Sequence, residues 1–384
     1  MPISRRRFIQ QVAALTASGI TSPLIASATP ASVLQSRVGV VLDPSFYLHD
    51  RVGHPENAKR LKAIDDILTQ QKLWSQLTPV AGRLASREEL SLAHQSGYIY
   101  EVEILSQTGE GFFNEYQQET YFNQHTFTAA RMAVGSAINL NLAVYDREVD
   151  TGFALLRPPG HHALKDQAMG FCIFNNDVIA ARALQKQRGV KRVAIIDFDV
   201  HHGNGTQDLT IDDPSIMAIS LHQHPFWPLT GALSFTGNGE ADGTNVNCPF
   251  GEGVGDRAYL AAYDKVIELK LAEFKPEHII VFAGYDAHWQ DPLAGHCLSV
   301  LGFNQLVERC LDSAEKHCNG RISFSLGGGY KLEPLAHCVA GTFHTLLNTP
   351  QKKLNPLGMP SEGEVDSQDQ LETIIQHHLG KRFS

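Results

Sequence analysis

The sequence predicts an α/β fold, a mainly parallel β-sheet covered by helices on both faces. Strand-like and helix-like segments alternate along most of the chain. The strand-like segments are unbroken apolar runs, such as Arg-Val-Ala-Ile-Ile at 192–196 and His-Ile-Ile-Val-Phe at 278–282. A run without polar alternation is buried on both faces, as in a parallel sheet sandwiched by helices. Polar side chains follow several of these runs directly, where the carboxyl ends of parallel strands gather ligands.

Taken in order, 38–42 is a short apolar strand stopped by Asp43-Pro44. Residues 58–74 have helical period, with Leu61, Ile64, Ile67 and Leu68 on one face. An alanine-rich helix over 126–144 carries a stripe of Ala130, Val134, Ala137 and Leu140 or Asn141. A strand at 151–156, a helix at 178–187, and strands at 192–198 and 216–221 follow. The series continues with helix 256–274, strand 278–283, helix 303–317, strand 322–326, helix 335–347 and a last helix at 370–379. Residues 349–368 are polar and contain Pro and Gly, and read as an ordered surface excursion or a loose connection. The chain has no internal repeat.

The 384 residues, 43% of them hydrophobic, suffice for one large core or two ordinary domains. No stretch beyond the N-terminus is apolar enough to span a bilayer. The formal charge is -9, with no basic run beyond the N-terminus, so the chain is a poor nucleic-acid binder and is compatible with a cationic substrate. The six cysteines form no CxxC pair, which argues against a zinc–thiolate site. Their irregular spacing leaves a disulfide open, with Cys310 and Cys318 the nearest pair.

The chemistry lies at the strand ends. Asp197, Asp199 and His201 end one run, His222 and His224 follow a second, and Tyr285, Asp286 and His288 a third. Gly327-Gly328-Gly329-Tyr330 ends a fourth, and His161-His162 closes the segment after a fifth. Asp199 and His201 are two apart, so an extended backbone projects both to one side. With Asp286 they make two carboxylates and an imidazole, which leaves a position open for water at a catalytic zinc. Such an ion brings the water's pKa toward ~7; Fe(II), Co and Mn suit the same donors. Paired imidazoles serve amide hydrolysis as base and acid, and a phenol beside glycines can donate to an oxyanion. Singly, each piece has a plain reading: a satisfied His pair, an Asp capping the next helix, a glycine turn. Five strand ends converging on such residues make a site.

The motifs RPPGHHA (157–163), GFCIFNN (170–176), DFDVHHGNGTQ (197–207), SLHQ (220–223), GYDAHWQDPLAG (284–295) and SLGGGY (325–330) resemble the histone deacetylase superfamily. GHPE (53–56) looks like its first active-site loop, and the resemblance covers roughly 38–347. The details are most similar to the class II branch and its bacterial amidohydrolase relatives. The resemblance implies the three-layer α/β fold shared with arginases, and hydrolysis of an N-acyl amide, acetyl above all, on a lysine-like or small amine. Asp199, His201 and Asp286 would hold one Zn²⁺. His162 would be the main base and acid, with Asn204 near the place that orients it. His161 would support charge, tuned by Asp197, and Tyr330 would polarise the carbonyl. A structural K⁺ would use Asp197, Asp199, His201, Ser220 and Leu221. The substrate tunnel would be lined by Gly170, Phe171, Trp227, Leu293 and Gly328.

Two departures matter. Leu293 follows Asp291-Pro292 where the eukaryotic polyamine-selective branch carries Glu, so that gatekeeping charge is missing; an acetylpolyamine amidohydrolase stays open as an alternative. His288 stands where a binuclear ureohydrolase needs Asp, which disfavours that enzyme. A non-catalytic acyl-amine binder is the remaining alternative. The loops over 223–250 could form a tunnel rim or an interface, and oligomeric state is not legible.

At the N-terminus, Ser4, Arg5, Arg6 and Phe8 match the twin-arginine export pattern. A weakly apolar stretch and Ala26-Ser27-Ala28, a small-residue cleavage site, follow. Residues 1–28 are therefore expected to be a signal peptide and 29–384 a single catalytic domain, delivered folded by the twin-arginine machinery to a bacterial periplasm or beyond. Removing 1–28 takes away three arginines and no acid, so the charge falls from -9 to -12.

Overall fold

The computed structural model describes residues 36–114, 116 and 118–380; the twin-arginine motif and the cleavage site lie outside the described residues. Among the described residues ten strands form: β1 Val38–Val41, β2 Thr78–Pro79, β3 Gly111–Phe112, β4 Tyr121–Phe122, β5 Thr151–Ala154, β6 Val193–Asp197, β7 Ile216–Gln223, β8 Asn245–Phe250, β9 His278–Ala283 and β10 Ile322–Leu326. Eight make one sheet in the order β2-β1-β5-β10-β9-β6-β7-β8, while β3 and β4 pair as a small antiparallel ribbon. Every neighbouring pair in the large sheet is parallel, so all eight carboxyl ends share one edge.

Helices flank this sheet and give the expected three layers. The Thr126–Tyr145 helix lies against β1, β5 and β10, the Val300–Cys318 helix against β9 and β10, and the Asn176–Arg188 helix against β6 and β9. The stripes read from the sequence are buried: Leu61, Ile64, Ile67 and Leu68 on one helix, and Ala130, Val134, Ala137, Leu140 and Asn141 on another. Local chemistry sets the helix ends. Asn175 caps the 176–188 helix by accepting from Val178 N, and Gly189, at φ +69°, stops it in the left-handed region that glycine enters freely.

The main differences from the sequence expectation are these. The edge strands β2 and β8 were not legible, because Pro79 and Pro249 interrupt a strand pattern; only an edge tolerates their missing N–H. The Ser96–Thr108 and Asn204–Thr210 helices were also not expected. The 256–274 helix is widened by a π turn at Tyr263–Ile267. Residues 349–368 are an anchored excursion, with Val365 N donating to Gly253 O at 2.9 Å and Arg257 pairing with Glu364. All six cysteines are free thiols.

Candidate active site

β10, β9 and β6 are adjacent, and their register brings Asp197 level with Phe282, and Leu326 level with Ala283. The loops leaving these strands therefore meet. Asp199, His201 and Asp286 offer ligand atoms that all lie within 4.8 Å of one another. His201 Nδ1 stands 3.1 Å from both Asp199 Oδ1 and Asp286 Oδ2. Backbone donors aim the carboxylates: His201 N (3.0 Å) and Gly328 N (2.8 Å) donate to Asp199, and Val200 N to Asp286 Oδ1 (2.9 Å). Two glycines make the space, since a Cβ at Gly284 would collide with Asp199 and one at Gly328 with Asp286. Two buried carboxylates and an imidazole, aimed together in a glycine cradle, fit a divalent ion.

The neighbouring imidazoles touch, with ring centroids 3.8 Å apart, but lean on different partners. His161 Nδ1 donates to Asp197 Oδ2 at 2.8 Å, and the ring stacks on Phe282. His162 Nδ1 donates to Asn204 Oδ1 at 2.7 Å, so the Asn204 expectation is met in space. Burial would lower His161, but Asp197 and Asp199 outweigh it and the pKa rises. His162 has only an amide partner; burial, then the charges of His161 and His201, hold it well below its ordinary value.

The three-donor cluster has unmet negative charge. Burial pushes Asp286 up to about 7, aided by Asp199. Burial would also raise Asp199, yet His161 and His201 hold it well below the usual carboxylate range. His201 would be lowered by burial, but its hydrogen bonds to Asp199 and Asp286 carry it up to about 10. Metal ligands bind deprotonated, so a cation held by these three groups would take the place of a proton among them.

Aromatic side chains and a glycine border this cluster. Trp227 meets His162 edge-on at 4.7 Å and His201 at 5.8 Å. Gly170, at φ +55°, lies under both His162 and Trp227, where a Cβ would strike either ring. Phe171 meets Tyr330 edge-on at 5.6 Å and His54 at 4.7 Å. Leu293 is half-buried, and Gly328 is committed to Asp199. Of the residues expected to bind potassium, Asp197 pairs in register with Ser220, whose Oγ meets His222 Nδ1 at 3.0 Å, and Leu221 O receives the Tyr259 hydroxyl at 3.4 Å.

The histone deacetylase domain, as a family, matches residues 54–346, which contain this whole constellation. The chain belongs to the histone deacetylase family. It is 42% identical over 316 residues to "Histone deacetylase 10, chloroplastic" of Oryza sativa subsp. japonica, covering 79% of this chain and 71% of that protein. It is 36% identical over 298 residues to a "Probable deacetylase" of Archaeoglobus fulgidus, covering 77% and 82%. The crystal structure of the HDA15 HD domain superposes with a TM-score of 0.81 at 32% identity, covering 90% of this chain and 95% of that one.

In this histone deacetylase family member, sequence reasoning passed over a buried ion network behind the site. Glu56 accepts from Arg60 (3.1 Å) and from both Arg157 Nε (2.5 Å) and Nη2 (2.7 Å), with all three side chains fully buried. Arg60 goes on to donate to Gly329 O (2.8 Å) and Gly327 O (2.5 Å), and its guanidinium lies 5.2 Å from the Tyr330 ring centre. The i,i+4 spacing of Glu56 and Arg60 was the available signal, but on a helix start it reads as a surface pair.

Proposed function

We propose that this chain is a zinc-dependent amidohydrolase, close to the class II branch, that removes an acetyl or similar short acyl group from a lysine-like or small amine. The observation that carries the reading is the division of labour between two touching imidazoles, one on a carboxylate and one on an amide, beside a three-donor metal cluster. Asp199, His201 and Asp286 would hold the ion. A zinc ion there supplies Lewis-acid polarisation of the acyl carbonyl and of the attacking water. His162, its Nδ1–H spent on Asn204, keeps a free Nε2 lone pair to take the water proton and return it to the leaving amine. His161, drawn toward its charged form by Asp197, adds positive charge beside the developing oxyanion. Burial, then Asp286 and Asp199, keep the Tyr330 phenol protonated, so its hydroxyl can donate to the same oxygen. Phe171 and Trp227 would exclude water from the acyl-amine stem. A potassium ion near Asp197, Asp199, His201, Ser220 and Leu221 would neutralise clustered carboxylates.

We further propose that residues 1–28 are a twin-arginine signal peptide, that the remainder is a single catalytic domain, and that the enzyme works in the periplasm or outside the cell. Acylated small amines or envelope amides then suit it better than histones. The test is zinc content together with turnover of an acetyl-lysine coumarin and an N-acetylpolyamine. About one zinc per chain is expected. Turnover should fall by roughly 10²–10³ in Tyr330→Phe and 10²–10⁴ in His162→Ala. The ratio of the two substrates decides between a general deacylase and a polyamine enzyme. Two metals per chain, or turnover unaffected by both substitutions, would sink the mechanism.

A further inference from the structure

Three successive glycines precede Tyr330. Such a backbone has little conformational preference of its own, so the place of the Tyr330 hydroxyl must be imposed by neighbours. Arg60 grips the carbonyl side of this loop, at Gly327 O and Gly329 O. On the amide side, Gly327 N donates to Ala283 O and Gly328 N to Asp199, both at 2.8 Å, and the next two amides, of Tyr330 and Lys331, are held by one residue, Asp291, from the loop after β9. Its Oδ2 accepts from Tyr330 N at 2.6 Å and from Lys331 N at 3.2 Å, while its Oδ1 accepts from Leu293 N at 3.0 Å. The carboxylate is 7% exposed and makes no ion pair among the described residues. It does not serve as a cap for the Leu332–Leu346 helix, because its partners Tyr330 and Lys331 precede that helix.

We propose that Asp291 is a positioning residue for Tyr330, fixing the phenol against the acyl carbonyl by clamping the loop's backbone amides. The proposal rests on the deacylase reading above. Mispositioning a donor by about 1 Å costs on the order of 10² in rate. The loss should appear in kcat, since the phenol matters most when the carbonyl oxygen becomes an oxyanion.

The experiment compares zinc-loaded wild type, Asp291→Asn and Tyr330→Phe on two coumarin substrates, acetyl-lysine and trifluoroacetyl-lysine. Fluorine already polarises the second carbonyl, so its hydrolysis depends less on a phenol donor. Asp291→Asn should lower kcat on the acetyl substrate by about 10- to 100-fold with KM little changed. On the trifluoroacetyl substrate the loss should stay under about threefold, and in a Tyr330→Phe background the substitution should add nothing further. If the asparagine protein does not fold, Asp291→Ser, with one remaining acceptor, carries the same comparison. Equal losses on both substrates, or losses that multiply with Tyr330→Phe, would overturn the proposal. A zinc-loaded wild type inert on both substrates would instead overturn the deacylase reading beneath it.

Discussion

Two buried clusters of charge share the glycine loop of residues 327–329, and they are balanced in opposite ways. Behind the loop, Glu56 meets two guanidiniums, and the surplus N–H groups of Arg157 reach Phe46 O (2.6 Å) and His49 O (2.8 Å). Burial would raise the Glu56 carboxyl, but Arg157 and then Arg60 hold it at about 2. In front of the loop, Asp197, Asp199 and Asp286 face three imidazoles, and none of the three makes an ion pair with Lys or Arg among the described residues. The first cluster is complete with protein groups alone and acts as scaffold. The second lacks positive charge, and that deficit is what a metal ion would fill.

The largest expected effect separates the two directly. Glu56→Gln keeps the shape but strands two buried guanidiniums. Breaking a buried pair costs about 3–5 kcal/mol, and chemical denaturation should show that loss with or without zinc. Asp286→Asn should abolish zinc retention and turnover, yet leave the chelated protein within about 1 kcal/mol of chelated wild type, since burial and Asp199 already disfavour the charge on Asp286. Comparable destabilisation of the metal-free protein by both substitutions would break the contrast.

The contrast also shows what the sequence could convey. The Asp-x-His spacing of 199 and 201 and the apolar runs of β9 and β10 are local, so the metal cluster and its place at the strand ends were legible. The scaffold was not. Glu56 and Arg157 are 101 residues apart, and burial of an Arg is a tertiary fact that no local pattern announces. Asp291 reads as the start of an Asp-Pro turn until Tyr330, 39 residues on, is seen donating to it. The edge strands hid for a different reason, because position at a sheet edge decides whether a strand tolerates proline.

A smaller effect comes from a carboxyl in neither cluster. Asp177 is buried, accepts from Ser325 Oγ at 2.7 Å, and leaves Oδ1 without a partner among the described residues. Burial pushes its pKa up to about 7. With the folded value above the unfolded one near 3.9, its contribution to stability is fully present below about pH 4 and is lost as pH rises through 7. Asp177→Asn should match wild type in acid and exceed it above pH 7 by up to about 4 kcal/mol. Parallel stability–pH curves for the two proteins would mean that an unseen donor satisfies Asp177.

The smallest expected change tests the imidazole pair. Giving His162 a carboxylate partner, as His161 already has, should stabilise its protonated form. Because the base must be neutral to accept a proton, the acid limb of kcat/KM in Asn204→Asp should move up by roughly one pH unit, while activity above that limb stays near wild type. A profile that does not move would mean that the partner of His162 matters little. Burial and the charges of His161 and His201 would then set its low pKa, and the asymmetry of the pair would belong to the cluster as a whole rather than to residue 204.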